Sequence, residues 1–268
     1  MKSNNLPVDL VLVRHGRSRE NEAYEASVAG DPSLYTEEFR KTPSRAHQLT
    51  ETGIKQAKVA GKWLRQELGD GFFDRYFVST YDRAQQTAGY LDLAGAEWEI
   101  KRTLVERSWG DLGHIPLEEQ LKTYAEQMER GKGDAFFSRP PNGDSLNDIC
   151  NNIGALLMSW RLAPVGERVI MVTHGEVMTC MRYVLEHMDH YRWFELMRSS
   201  DPRDKIHNSQ VIQYSRRNPA DAGDVREEFT WTRSVCPWDE TLSNNLWTEI
   251  APVARYSSDQ LIKRVEDK

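Results

Sequence analysis

The sequence predicts an α/β fold on a mostly parallel sheet, and three observations predict it. Two apolar runs, residues 8–13 and 169–172, are Val, Ile, Leu or Met at nearly every position, as befits strands covered on both faces. Each run ends abruptly at a His-Gly pair, in Arg14-His15-Gly16 and in Thr173-His174-Gly175. Helical stretches with apolar residues three and four apart alternate with these strands along the chain. In an open parallel sheet, ligands bind beyond the carboxyl ends of the strands. A cation, an imidazole and a glycine at that edge suit a negatively charged ligand, and Gly16 lets the backbone come close to it.

Each element can be justified in order. Val8, Val11 and Val13 give the first strand its β-branched character. Residues 22–48 follow, polar and without sustained periodicity, carrying Gly30-Asp31-Pro32 and Pro43; they read as an inserted loop with one helical turn, leaving from the ligand-binding edge. Leu49-Thr50-Glu51-Thr52-Gly53 opens a helix whose buried face is Ile54, Ala57, Ala60, Leu64 and Leu68, ending near Gly69. A second strand is expected at 76–79, a helix at 83–93 and a third strand at 98–101. An amphipathic helix over 117–129 would form part of a lid spanning about 115–139. Ser145-Leu146-Asn147-Asp148 has the spacing of a helix start, with Ser145 as N-cap, and Pro164 stops that helix. Helices are expected at 175–188 and 191–198, a strand near 211–214 and another at 226–231. The remainder, within a C-terminal extension of about 216–268, is a tail with a charged final helix.

Length and composition bound the function. A chain of 268 residues can bury a core, and a single domain over 1–268 is the expectation. Its formal charge of -6 argues against a general nucleic-acid binder, and no apolar run is long enough to span a bilayer. Cys150, Cys180 and Cys236 are too scattered for zinc-ligand spacing, and their odd number suits reduced thiols. With no apolar signal core before the first strand, the cytoplasm is the expected compartment.

Several motifs occur together and in order. Leu12-Val13-Arg14-His15-Gly16, with Ser18 and Asn21, is followed by Ser79-Thr80-Tyr81-Asp82-Arg83-Ala84-Gln85-Gln86-Thr87-Ala88. Then come Leu104-Val105-Glu106-Arg107-Ser108-Trp109-Gly110, the Pro-x-Gly-Asp-Ser approach to the helix at Ser145, His174-Gly175, and Asn208-Ser209-Gln210-Val211. This set resembles the histidine phosphatase superfamily, which includes phosphatases and cofactor-dependent phosphoglycerate mutases. The likeness covers roughly residues 8–215 as dispersed motifs, leaving the insertion and the tail outside it. It implies the three-layer α/β/α sandwich of the phosphoglycerate mutase-like fold.

The resemblance also assigns roles that suit phosphoryl transfer, which needs an in-line nucleophile, cations on the phosphate oxygens and an acid for the leaving oxygen. His15 would be the nucleophile, neutral, with one ring nitrogen held by a carbonyl. Arg14 and Arg83 stay charged and offer planar forks that match phosphate oxygens, with His174 and Gly175 completing the clamp and Asn21 adding an amide donor. Glu106 would protonate the leaving oxygen and then activate water, for which its pKa must be raised. Arg17 stands where the family often has Glu or Gln; it either adds cationic character for a multiply charged substrate or pairs with an acid of the insertion. No metal or other cofactor is expected, since His187 and His190 fit neither zinc-protease spacing and Tyr183 stands where the inverted motif needs a histidine.

Three readings follow. The first is a phosphomonoester hydrolase working through phosphohistidine on a small phosphorylated metabolite, its oligomeric state open and a homodimer included. The second, a phosphoglycerate mutase, is supported by Leu104-x-Glu106-Arg107-x-x-Gly110 but opposed by Trp109 in place of the usual Tyr, by the lack of an arginine pair before Pro140-Pro141, and by the phosphatase form of the Asn208 turn. The third, a non-catalytic phospholigand-binding module, predicts the loss of His15, Arg14, Glu106 or His174, and all four are present.

Overall fold

A computed structural model of the protein describes residues 5–266. Its elements run β1 (Asp9–Arg14), α1 (Arg19–Val28), α2 (Glu37–Lys41), α3 (Glu51–Leu68), β2 (Arg75–Ser79), α4 (Asp82–Tyr90), β3 (Trp98–Lys101), α5 (Leu117–Thr123), α6 (Ala125–Gly133) and α7 (Leu146–Leu162). Then follow β4 (Arg168–Thr173), α8 (Gly175–Leu185), α9 (His190–Arg198), β5 (Val211–Ser215), β6 (Arg217–Asn218), β7 (Asp221–Val225), β8 (Trp231–Val235), β9 (Thr248–Glu249) and α10 (Ser258–Glu266).

Seven strands form one sheet in the order β3-β2-β4-β1-β5-β8-β9, parallel from β3 through β1 and antiparallel beyond. Strand alternation sorts the side chains of β1 and β4 to two faces. Leu10, Leu12, Val169 and Met171 pack with Ile149, Ile153, Met178 and Met181 of α7 and α8. Val11, Val13, Ile170 and Val172 pack with Ala60 and Leu64 of α3 and with Ala84 and Ala88 of α4. Both faces are therefore dry, which explains the continuous apolar runs, and the predicted three-layer α/β/α sandwich is what forms.

The helix starts follow the expected chemistry. Thr50 caps α3 by accepting from the Gly53 amide at 3.1 Å. Ser145 and Asp148 form a reciprocal capping box on α7, which stops just before Pro164. Among the described residues, no helix is long and apolar enough to cross a membrane.

Three expectations need correction. Residues 22–48 are not a loop with one turn. They hold most of the ten-residue α1, whose capping box uses Ser18 and Asn21, together with α2 and a 3-10 turn at Ser44–Ala46. The helix expected over 117–129 is two, broken where Tyr124 leaves helical geometry at φ -122°, ψ 32°. The strand expected at 226–231 is absent: β6 and β7 form a separate hairpin, and the chain joins the main sheet only from Trp231.

Candidate active site

Parallel register places Arg14 of β1 opposite Thr173 of β4, so the two strands deliver His15 and His174 side by side. Their rings meet edge to face with centroids 5.1 Å apart, and both are buried. Nδ1 of His15 lies 2.8 Å from the Gly16 carbonyl, while Arg83 Nε donates to His15 Nε2 at 3.2 Å. With Nε2 accepting, the proton sits on Nδ1 and is donated to the carbonyl. Burial, reinforced by the charges of Arg83 and Arg14, holds the His15 pKa well below the usual histidine value, so the ring is neutral. The result is an imidazole whose lone pair is fixed in direction and flanked by cations.

The motif from Ser79 to Ala88 can now be read residue by residue. Ser79 Oγ accepts from the Tyr81 amide and lies 2.8 Å from His174 Nε2. His174 Nδ1 is buried without a protein partner. Burial also holds the His174 pKa well below its ordinary value. Gln86 accepts from the Leu49 amide, Thr87 accepts from the Gly16 amide at 3.0 Å, and Ala84 and Ala88 pack in the core. Arg83, buried, donates through Nη1 to the Ser44 carbonyl at 2.7 Å and pairs through Nη2 with Glu20 at 3.0 Å. The loop after β1 is equally constrained. A Cβ on Gly16 would sit 2.4 Å from the Gly53 carbonyl oxygen, and Asn208 Nδ2 donates to both the His15 carbonyl and Asn21 Oδ1.

Glu106 shares the cavity with these groups. Its carboxyl is pushed up to about 7, first by burial and then by the nearby charge of Glu176, with Arg83 and Arg14 pulling the other way. The hydrogen bond it accepts comes from the Arg107 amide at 3.1 Å. Arg107 is itself pinned by two bonds to Glu176, at 2.9 and 2.7 Å, and lies over the Trp109 ring. Glu176, on the first turn of α8, was not a candidate from sequence; its position directly after His174-Gly175 was the available signal. Glu20 and Ser44, which hold Arg83, carry no signal in the sequence, because nothing in the polar segment between them shows that it folds back onto Arg83.

The remaining candidates divide. Arg14 donates through Nη1 to the Ile206 carbonyl at 2.6 Å, and its buried Nε has no partner. Gly175 packs so closely that an added Cβ would stand 3.2 Å from that Nε. Asn21 lines the cavity, and its Oδ1, engaged by Ser18 and Asn208, fixes the amide in place. Arg17 is not part of the cavity wall: it turns to the acids of α1, pairing with Glu25 at 2.8 Å, so the rim-cation role is the expectation that fails. His174 does not line the cavity either; it is fully buried, its ring packed edge to face against His15 and Tyr81 with centroids 5.1 and 4.9 Å away. The cavity has a volume of about 470 Å³. Among the described residues, no cluster of three or more His, Cys, Asp or Glu is arranged to hold a metal ion.

This arrangement can bind a phosphoryl group, attack it with a neutral imidazole and supply a proton from a carboxyl that is protonated near neutrality. Known proteins resemble the chain at two levels, sequence and fold. The chain is 30% identical over 184 residues to a 2,3-bisphosphoglycerate-dependent phosphoglycerate mutase of Methylobacterium radiotolerans, covering 66% of this chain and 78% of that one. It is 29% identical over 194 residues to a phosphoglycerate mutase of Schizosaccharomyces pombe, covering 69% and 83%. Among solved structures, the α-ribazole phosphatase of Shigella flexneri matches with a TM-score of 0.58 at 19% identity, over 83% of this chain and 96% of that one. A mycobacterial glucosyl-3-phosphoglycerate phosphatase matches with a TM-score of 0.56 at 21% identity, over 81% and 94%. These structural likenesses speak to the fold alone. The family model described as histidine phosphatase superfamily (branch 1) matches residues 10–200, from the first strand through the helix that follows His174-Gly175 and on to the end of α9, and the chain belongs to that superfamily.

Proposed function

We propose that the protein is a phosphomonoester hydrolase that uses no metal and works through a phosphohistidine at His15. Arg14 and Arg83 hold the phosphoryl oxygens, with His174 packed edge to face against the His15 ring, the Gly175 backbone close against Arg14 and the Asn21 amide at the rim. Glu106 gives its proton to the departing alkoxide, so the P–O bond breaks as the P–N bond forms. In the second half, water attacks phosphorus, Glu106 takes back the proton, and His15 leaves with its lone pair. The observation that carries hydrolysis over transfer is the cavity of about 470 Å³ around His15 and Glu106. A three-carbon ester fills only part of such a volume, which leaves room for the water that hydrolysis needs.

The mutase reading keeps one specific support, the 29–30% identity of the two mutases above over 78–83% of their lengths. A panel of phosphorylated metabolites assayed in chelator separates the two. Hydrolysis predicts free phosphate released by wild type and lost in His15→Ala. Isomerised phosphoglycerate without free phosphate decides for the mutase.

A further inference from the structure

We infer that the outer half of the cavity is a subsite for an apolar, uncharged leaving group bearing a ring, so that the preferred substrate is a phosphomonoester whose single phosphate is its only anionic group. The inference rests on the hydrolase reading and deepens it. Its first support is that three arginines of the cavity wall are already matched by acids. Arg107 carries the two-bonded pair to Glu176, Arg83 pairs with Glu20 at 3.0 Å, and Arg182 pairs with Glu186 at 3.0 Å. Arg17, set back from the cavity, pairs with Glu25. Lys205, also on the lining, donates to the Met197 carbonyl at 2.9 Å, so one ammonium is spent on a backbone oxygen and not on an acid. Glu20, Glu176 and Asp204 stand on the same wall. A second phosphate or a carboxylate on the leaving group would have to break one of these pairs or face those acids.

The second support is what the wall offers instead. Tyr24, Tyr35, Trp109, Leu112, Met128 and Met197 all line the cavity. Tyr24 is 48% exposed, Trp109 42% and Met197 44%, large side chains left facing water at the mouth of a concave site. Apolar surface in that position gains from being covered by an apolar group and gains little from a hydroxylated or charged one. The wall is drawn from α1 (Tyr24), the segment after Glu106 (Trp109, Leu112), α6 (Met128) and α9 (Met197). Rim, lid and α9 thus meet around one leaving group.

Three esters with alkoxide leaving groups test it: 2-phenylethyl phosphate, glycerol phosphate and 3-phosphoglycerate. We expect kcat/KM for the phenylethyl ester to exceed that for each of the others by on the order of 10-fold or more, the scale at which a fitted hydrophobic pocket discriminates. Trp109→Ala and, separately, Met197→Ala should collapse that ratio toward one, mainly through KM. Both residues are exposed, so neither change threatens the core. A preference for phosphoglycerate, or a ratio unmoved by both substitutions, overturns the inference while leaving hydrolysis intact. Calorimetric binding of 3-phenylpropylphosphonate against 3-phosphonopropionate asks the same question without turnover. Tighter binding of the phenyl compound supports the subsite even if no ester releases phosphate, which would count against the hydrolase reading alone. Equal or tighter binding of the carboxylate overturns the subsite.

Discussion

Glu106 is the residue whose surroundings say most about its work. A carboxyl pushed up to about 7 by burial and by Glu176 is largely protonated just below neutrality and can be recharged by water. Glu106→Gln should therefore slow esters with poor leaving groups by about 10²–10⁴-fold and activated aryl esters far less, since only the former need the proton. The sign of the pH dependence follows: kcat/KM on alkyl esters falls as pH rises through about 7, when the free enzyme loses that proton, and this limb disappears in the Gln variant. The low pKa of His15 places its own limb on the acid side. Equal losses on both ester types, or a retained limb near 7, would remove Glu106 from the acid's role. Sequence could name His15, Arg14, Arg83 and Glu106 because each stands at a fixed offset within a local motif. It could not name Glu176, because an acid in the first turn of a helix is a common accommodation to the helix dipole, and its partner Arg107 lies 69 residues away.

At the scale of elements, the rim segment is the main surprise. Read as polar sequence without periodicity, residues 22–48 suggest a loop over an independent phosphate clamp. Folded, the segment starts with a helix capped by the same Ser18 and Asn21 that belong to the opening motif, and its Ser44 carbonyl holds Arg83. Short helices stabilised by caps and by contacts with their neighbours leave little apolar pattern to detect, whereas α3 and α7, with full buried stripes, are legible, α7 together with its Ser145 cap. Replacing residues 22–48 with a Gly/Ser linker should then change the substrate ranking and also lower kcat on a small activated ester. The loss should approach the roughly 10²-fold that a misplacement of ~1 Å costs. Circular dichroism and thermal unfolding would establish that the variant is folded. Full activity on the small ester would mean that the clamp stands without the rim.

At the scale of the whole molecule, the sheet order brings the site together. β4 lies between β2 and β1, so His174 at its end stands between Ser79 at the end of β2 and His15 following β1, although these residues are far apart in the chain. That neighbourhood was legible only in part. The two His-Gly strands announced themselves by their apolar runs, but the antiparallel strands β5, β8 and β9 are short, and the hairpin of β6 and β7 misled the placement of the last ones. The central claim is that this edge makes His15 the phosphoryl acceptor. Its most direct test is rapid acid-free quenching of the enzyme with ³²P-labelled ester, followed by peptide mapping. The account predicts base-stable, acid-labile label on the peptide that carries His15 in wild type, accumulating when Glu106 is replaced by Gln if release becomes the slow step, and absent in His15→Ala. Label that survives His15→Ala, or that maps to any other residue, would contradict it.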